Sequence, residues 1–283
     1  MGKKILLNEK IFVAGAKGMA GSAICRSLLK KGYGEINGGQ ILKPARKELD
    51  LLDTDKVAKW FKINKPTVVI IAAAKVGGIL GNSIYPTQFL LDNLKIQNNL
   101  IENSWKTGVK RLLFLGSSCI YPKFANQPLK EDYLLNGKLE NTNESYAIAK
   151  IAGIKLCSAL KKQYGFDAIS LMPTNLYGYG DNYHPSNSHV LPAMLSKFYE
   201  AKIKGSKEVL CWGTGTPKRE FLFVDDLAEA AIFILEKVSI KHESLYDEFQ
   251  NFVGILNVGT GTDISIKELA KLISSIVGYE GDI

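Results

Sequence analysis

A doubly wound α/β fold built on a parallel sheet is predicted for the first half of this chain, on two observations. Short apolar, β-branched segments recur about every 28 residues, and the gaps between them carry helical periodicity. One of these segments, Val68-Val-Ile-Ile-Ala-Ala-Ala74, is apolar at every position, as a strand covered on both faces must be. A strand, helix, strand rhythm of that length is the βαβ unit, which requires parallel pairing and right-handed crossovers.

In order, the pattern predicts strands over 11–14, 40–44, 68–74, 111–116 and 168–172, with helices over 19–31, 54–62, 86–107 and 144–163. After Pro173 the rhythm loosens, and Gly, Tyr, Asn, His and Pro crowd residues 175–192, predicting a long functional loop. A helix over 190–201, a strand over 208–212, a helix over 224–236, a strand over 255–258 and a helix over 265–277 follow. The expected organisation is a nucleotide-binding domain over 1–174, to which part of the later chain returns, and a smaller, mainly substrate-binding portion over 175–283.

Composition narrows the function classes. Of 283 residues, 46% are hydrophobic and 23% charged, which excludes wholesale disorder. The longest apolar run, seven residues, is far short of the roughly 20 that a membrane helix needs, so no membrane partner is expected. The basic start Met1-Gly-Lys-Lys lacks an extended apolar region, and Leu6 stands where a myristoylation signal wants Ser or Thr. Four cysteines, with no CxxC pair, point to a reducing cytoplasm and to no disulfide framework or zinc site. The net charge of +8 is dispersed along the chain, which argues against nucleic acid and leaves a solvated surface or attraction of a small polyanion.

The first chemical motif is Gly15-Ala16-Lys17-Gly18-Met19-Ala20-Gly21, directly after a predicted strand and opening a predicted helix. Glycines there permit a tight turn and close approach of main-chain N–H groups to a pyrophosphate at the helix N-terminus. With a second strand following at the right distance, the reading is dinucleotide binding on a Rossmann fold rather than a plain turn. The second strand leads to Arg46, not to the acid that would accept the ribose hydroxyls of NAD. Arg46 and Lys17 suit a 2′-phosphate, so NADP(H) is the expected cofactor, two ordinary surface cations being the alternative.

The second motif is Tyr146-Ala-Ile-Ala-Lys150. With 12 tyrosines and 36 cations, a YxxxK match arises by chance, so context decides. Positions i and i+4 share one helix face, and a nearby ammonium would lower the phenol pKa and favour proton donation. The context is the predicted strand ending at Leu115 and Gly116, followed by Ser117-Ser118-Cys119-Ile120-Tyr121-Pro122. Chemistry in an open parallel sheet gathers at the carboxyl ends of its strands. Ser117 lies 29 residues before Tyr146, and two hydroxyls converging on one carbonyl oxygen beside a nicotinamide make a reductase site. Alone, Ser117 and Cys119 read as small residues closing a strand; with Tyr146 and Lys150 the catalytic reading leads. Asp225-Asp226 reads as helix-opening charge rather than a metal or acid pair, and no metal is expected.

These residues together resemble the extended short-chain dehydrogenase/reductase family. More narrowly, several stretches resemble its members that use NADPH to turn GDP-4-keto-6-deoxy-D-mannose into GDP-L-fucose, by epimerisation at C3 and C5 and reduction at C4. They are Ala72-Ala-Ala-Lys-Val-Gly-Gly78, Leu115-Gly-Ser-Ser-Cys-Ile-Tyr-Pro-Lys123, Asn143-Glu-Ser-Tyr-Ala-Ile-Ala-Lys-Ile-Ala-Gly153, Met172-Pro-Thr-Asn-Leu-Tyr-Gly178, Asp181-Asn-Tyr-His-Pro-Ser-Asn-Ser-His189 and Trp212-Gly-Thr-Gly-Thr-Pro-Lys-Arg-Glu-Phe221.

The chemistry suits the residue types, since a C4 ketone acidifies the hydrogens at C3 and C5, a thiol is a natural base and a histidine a natural acid. The chain has three histidines, and His184 and His189 would otherwise read as loop histidines. The resemblance implies Cys119 as base and His189 as acid. It implies that Ser117 and Tyr146 hold the ketone oxygen, that Lys150 binds the nicotinamide ribose and that Tyr146 protonates O4. It further places Leu115, Gly116, Ser117, Ser118, Pro173, Thr174, Asn175, Leu176 and His189 around the cofactor. Asn175, Lys197, Trp212 and Arg219 would contact the GDP-sugar, with an aromatic filling the smaller domain as the alternative for Trp212.

Lys17 and Lys197 stand where the family often carries arginine, keeping charge without the bidentate fork. Family members continue beyond the point equivalent to Ile283, so an incomplete substrate-binding portion is expected. A homodimer through the helices over 86–107 and 144–163 is implied. The competing readings are a 4,6-dehydratase, which would carry an acidic pair where Cys119-Ile120 stands, a UDP-sugar 4-epimerase and a non-catalytic NADPH-binding sensor or scaffold.

Overall fold

The computed structural model describes residues 3–36, 38–184 and 188–283. A six-stranded sheet organises the chain: β1 (Lys10–Ala14), β2 (Gln40–Leu42), β3 (Val68–Ile71), β4 (Arg111–Leu115), β5 (Ala168–Pro173) and β8 (Ile255–Val258), in the order β2-β1-β3-β4-β5-β8. Every pairing in it is parallel. The order reverses between β1 and β3, which opens a crevice at their carboxyl ends, where open α/β sheets take ligands.

The pleat sends alternate residues to opposite faces. Ile11, Val13, Ile70 and Leu113 pack under α1 (Met19–Lys30) and α7 (Val224–Lys237). Phe12, Val69, Leu112 and Phe114 pack under α2 (Thr54–Asn64), α4 (Pro86–Lys106) and α5 (Glu144–Tyr164). Each large apolar side chain so covered contributes about 1.5–3 kcal/mol, and this two-sided burial explains why β3 is apolar throughout. Asp53 caps α2 by accepting from the Lys56 N–H at 3.0 Å.

The strands are shorter at their carboxyl ends than the hydrophobic runs suggest. β2 stops at Leu42 rather than 44, because Pro44 has no N–H to donate to a ladder. β3 stops at Ile71 rather than 74, and the small residues Ala72–Ala74 continue as chain passing beside Gly15.

A second sheet of three strands stands beyond the crevice: β6 (Asn175–Tyr177), β7 (Lys218–Phe223) and β9 (Asp263–Ser265), in the order β6-β7-β9. The long loop expected over 175–192 therefore begins with a strand, because Asn175, Leu176 and Tyr177 pair with Phe221, Leu222 and Phe223. Against this sheet pack α6 (Val190–Lys204) and α8 (Ile266–Val277), through Met194, Phe198, Leu269 and Ile273. The strand expected over 208–212 does not form. Its β-prone residues find no neighbouring strand, only an isolated bridge between Glu208 and Asp282. A short helix, α3 (Ile79–Ile84), was not legible. α7 and β8, though late in sequence, belong to the large sheet. Among the described residues no helix is long and apolar enough to cross a membrane.

Candidate active site

The glycine turn links β1 to α1 and is built as tightly as glycine alone permits. Gly15 has φ +84°, and a Cβ there would lie 2.7 Å from the Ala73 nitrogen. A Cβ on Gly21 would lie 2.1 Å from the Gly15 oxygen. The Gly18 N–H donates to the Gly15 carbonyl at 2.9 Å, and Gly18 caps α1 without a side chain. The N–H groups of Met19, Ala20 and Gly21 thus begin the helix with no intrahelical acceptor, and no acid occupies the first turn. Ala16 and exposed Lys17 complete the turn. This is an anion cradle.

Arg46 lies four residues past the end of β2, in the turn that Ala45 and Glu48 close. Its side chain is 81% exposed and 4.0 Å from Asp50, a weak surface pair that leaves the guanidinium available. At the other end of the crevice, Gly116 follows β4 and approaches Met172 so closely that a Cβ would lie 2.4 Å from its sulfur. Pro173 ends β5, and Leu176 sits in β6 opposite Leu222. Asn175 donates from Nδ2 to the Glu220 carbonyl at 2.9 Å. The Thr174 hydroxyl is buried with no hydrogen-bond partner. Glycine cradle, acid-free helix start and orphaned hydroxyl together fit a dinucleotide lying across the crevice.

Ser117 ends the run after β4 and caps the 3-10 turn Ser118–Ile120, its Oγ accepting from the Cys119 N–H at 3.3 Å. The Ser117 side chain is also hydrogen-bonded to Tyr146. Tyr146 and Lys150 occupy successive turns of α5, whose path is fixed by close packing. A Cβ on Gly153 would lie 2.8 Å from Phe114, and Gln97 of α4 donates to the Ala149 carbonyl at 2.6 Å. The structure so gathers Ser117, Cys119, Tyr146 and Lys150 at the carboxyl edge of β4.

The electrostatics differ from the sequence expectation. Burial pushes the Tyr146 phenol above its ordinary range, the Cys119 charge pushes it further, and the Ser117 hydrogen bond opposes both. Lys150 does not lower it. Its Nζ, 5.7 Å from the Tyr146 ring centre, donates to the Leu115 carbonyl at 2.7 Å, and burial pushes its own pKa down to about 7. A buried amine half stripped of its proton is a poor source of field.

His189 is the N-cap of α6 and makes no side-chain capping bond. The preceding residue is pressed on the neighbouring loop, since a Cβ on Gly78 would lie 2.7 Å from the Ser188 oxygen. Gly78 opens α3, and α3 packs against residues 141–143 just before α5. His189 thus stands on the same edge as Tyr146, one layer of chain away; among the described residues no hydrogen bond joins it to Cys119 or Tyr146. Residues 185–187 of the motif 181–189 lie outside the described residues.

In the smaller portion, Trp212 is 82% exposed, so it does not fill a core. Lys197 stands 5.7 Å from its ring centre and donates to the Leu210 carbonyl. Arg219 extends from β7, with one nitrogen 2.7 Å from the Lys218 carbonyl. Asp225 and Asp226 sit in the first turn of α7, where Asp225 pairs with Arg26.

Two positioning groups had no legible signal. Tyr121 donates to Asn257 at 2.6 Å, and Asn257 donates to the Leu129 carbonyl at 3.0 Å, tying the Cys119 turn to β8. Asn93 brackets Lys75 with bonds of 2.7 and 3.0 Å and so holds the loop after β3.

Residues 11–247 match the NAD dependent epimerase/dehydratase family. The chain is 53% identical over 277 residues to GDP-L-fucose synthase 1 of Arabidopsis thaliana, covering 98% of this chain and 80% of that protein. It is 50% identical to GDP-L-fucose synthase of Escherichia coli, covering 97% and 83%. Among solved structures, a GDP-6-OMe-4-keto-L-xylo-heptose reductase from C. jejuni superposes with TM-score 0.91 at 38% identity, covering 100% of this chain and 86% of that one. A GDP-L-fucose synthetase from Naegleria fowleri bound to NADP superposes with TM-score 0.84 at 25% identity, covering 99% and 82%.

Proposed function

The chain belongs to the NAD dependent epimerase/dehydratase family, and on that footing we propose that it converts GDP-4-keto-6-deoxy-D-mannose to GDP-L-fucose, by epimerisation at C3 and C5 and NADPH-dependent reduction at C4. The observation that carries this reading is the cluster of Ser117, Cys119 and Tyr146 at the edge that also holds the glycine cradle.

The ketone at C4 makes the hydrogens at C3 and C5 acidic. Cys119, as thiolate, removes the proton, and His189 returns one from the opposite face, leaving a thiol and a neutral imidazole that water resets. Ser117 and Tyr146 donate hydrogen bonds to the ketone oxygen and hold the charge that gathers there in the enolate. The raised pKa of Tyr146 keeps its phenol protonated, so it enters each cycle as a donor. Bound NADPH supplies the hydride for C4. Tyr146 protonates O4, and the Ser117 hydrogen bond stabilises the phenolate left behind. Lys150 holds the nicotinamide ribose, while Arg46 and Lys17 take the 2′-phosphate.

The same reading assigns residues 1–174 chiefly to the nucleotide and 175–283 chiefly to the sugar, with Asn175, Lys197, Trp212 and Arg219 contacting the GDP-sugar. It takes the protein as cytoplasmic, in keeping with four free cysteines, and bound to neither nucleic acid nor membrane. It takes the protein as a homodimer through α4 and α5, whose Leu91 and Ile148 are exposed.

Loss of NADPH absorbance with GDP-4-keto-6-deoxy-D-mannose tests the activity. Turnover is expected with this substrate and not with a UDP-4-keto sugar; no turnover would reject it. The likeness to GDP-heptose reductases favours a second reading, C4 reduction of a GDP-4-keto-heptose without epimerisation. Preferential turnover of that substrate, with no solvent hydrogen entering C3 or C5, would select it.

A further inference from the structure

One buried carboxylate has no part in the reaction just described. Asp181 lies between β6 and α6 in a turn fixed on both sides. Its N–H donates to the Gly178 carbonyl at 3.2 Å, and the turn is pressed on Val224, where a Cβ on Gly178 would come within 2.7 Å. Gly180 rests on the start of α1, 3.9 Å from Met19. Oδ1 of Asp181 accepts from the Asn182 N–H at 2.7 Å. Oδ2 is buried and has no hydrogen-bond partner. A carboxylate oxygen left so is costly, and such an oxygen persists where a donor arrives in the working state.

The nearest candidate donor is the imidazole eight residues on. Burial pushes the Asp181 pKa up, and the positive charge of His189 pulls it back. His189 needs such a counter-charge. It stands at the N-terminus of α6, where the helix dipole disfavours an imidazolium, yet a general acid must carry its proton near neutral pH. The titratable groups on the surrounding elements are Lys75 on the β3 loop, held by Asp92 at 3.3 Å, Lys17 in the glycine turn, Cys119 and Tyr146 at the β4 edge, Lys197 further along α6, and His184 on the loop itself. Of the two carboxylates among them, Asp92 already pairs with Lys75, and Asp181 is the one coupled to the imidazole.

We propose that Asp181 is a positioning residue for His189: its Oδ2 accepts one imidazole N–H, which keeps the ring protonated and turns its other N–H toward the sugar carbon. Asp181 stays ionised throughout, and the proton delivered to carbon leaves from His189. The inference rests on the reading of His189 as the acid.

Two measurements on the full chain test it. The chain has three histidines, so nitrogen-detected NMR of the free protein resolves each, with His184→Gln and His242→Gln giving the assignment. Asp181→Asn is expected to lower the His189 pKa by about one unit, a tenfold change in protonation. In deuterated solvent, Asp181→Asn is expected to slow deuterium entry at C3 and C5 by ~10-fold or more with NADPH affinity unchanged, and Asp181→Glu to recover part of the rate. In a His189→Asn background the same change should cost less than about twofold, since a residue acting through His189 has nothing left to act on. An unmoved His189 titration, or losses that multiply in the double variant, would overturn the proposal. Failure of the wild-type chain to reduce the GDP-sugar would instead reject the activity, and leaves the titration result intact.

Discussion

The Lys150 ammonium donates to the main-chain carbonyl of Leu115 at 2.7 Å, fastening α5 to the last residue of β4. That bond places Tyr146, one turn earlier on the same helix, beside the Ser117 turn that follows the strand. Its cost is a lysine only 4% exposed.

The pKa shift of Lys150 gives that cost a pH signature. Its ordinary pKa of 10.5 falls to about 7 in the fold. Between these values the unfolded chain holds a proton that the folded chain lacks, so stability rises with pH across the window, by at most about 1.4 kcal/mol per unit. The penalty is fully present below pH 7 and absent above 10.5. Lys150→Met is therefore expected to be more stable than wild type at pH 7, with the gap closing toward pH 10, while ketone reduction is lost. Urea unfolding at several pH values checks this; parallel curves for the two proteins would refute it.

The glycine turn distinguishes packing from ligand contact. A Cβ on Gly21 meets backbone at 2.1 Å, whereas one on Gly18 meets only the Gly15 oxygen at 3.4 Å. Gly21→Ala should lower thermal stability by about 1–3 kcal/mol. Gly18→Ala should leave stability nearly unchanged, so any weakening of NADPH binding in a fluorescence titration reports the approach of the pyrophosphate itself.

Arg46 is expected to decide between the two nicotinamide cofactors. Because its sole close charge is Asp50 at 4.0 Å, Arg46→Leu should cost the fold little. Losing a charge-assisted contact to the 2′-phosphate costs about 1.5–3 kcal/mol, which is a rise of roughly 10- to 100-fold in KM for NADPH. The KM for NADH should stay the same. Equal effects on both would remove Arg46 from the cofactor site.

Much of this architecture was legible because burial on two faces writes itself into sequence. β3 and β4 are apolar throughout, and the glycine spacing after β1 follows from clearances that a Cβ would violate. Strand ends were less legible: Ala72–Ala74 look like β3 but must leave the sheet to pass Gly15. The second sheet was hidden because β7 is half charged and exposed, and β6 is three residues long, so neither has a period to read. Residues 208–212 have strand composition and no partner. At the site, Ser117, Cys119, Tyr146 and Lys150 were found by type and spacing. Asp181 and Asn257 were not, since their roles come from contacts that no local pattern encodes.

Trp212 separates a binding role from a packing one. At 82% exposure, Trp212→Ala should change stability by less than about 0.5 kcal/mol, where a core tryptophan would cost about 3–5. The KM for the GDP-sugar should rise with kcat little altered. A large fall in melting temperature would contradict this.

Proton transfer at carbon tests the central claim most directly. Wild type in deuterated solvent should place one deuteron at C3 and one at C5 of the GDP-sugar product, read by NMR. Cys119→Ser should place none at either carbon, and His189→Asn should be similarly impaired. Deuteration of both carbons at the wild-type rate in both variants would contradict the assignment of base and acid.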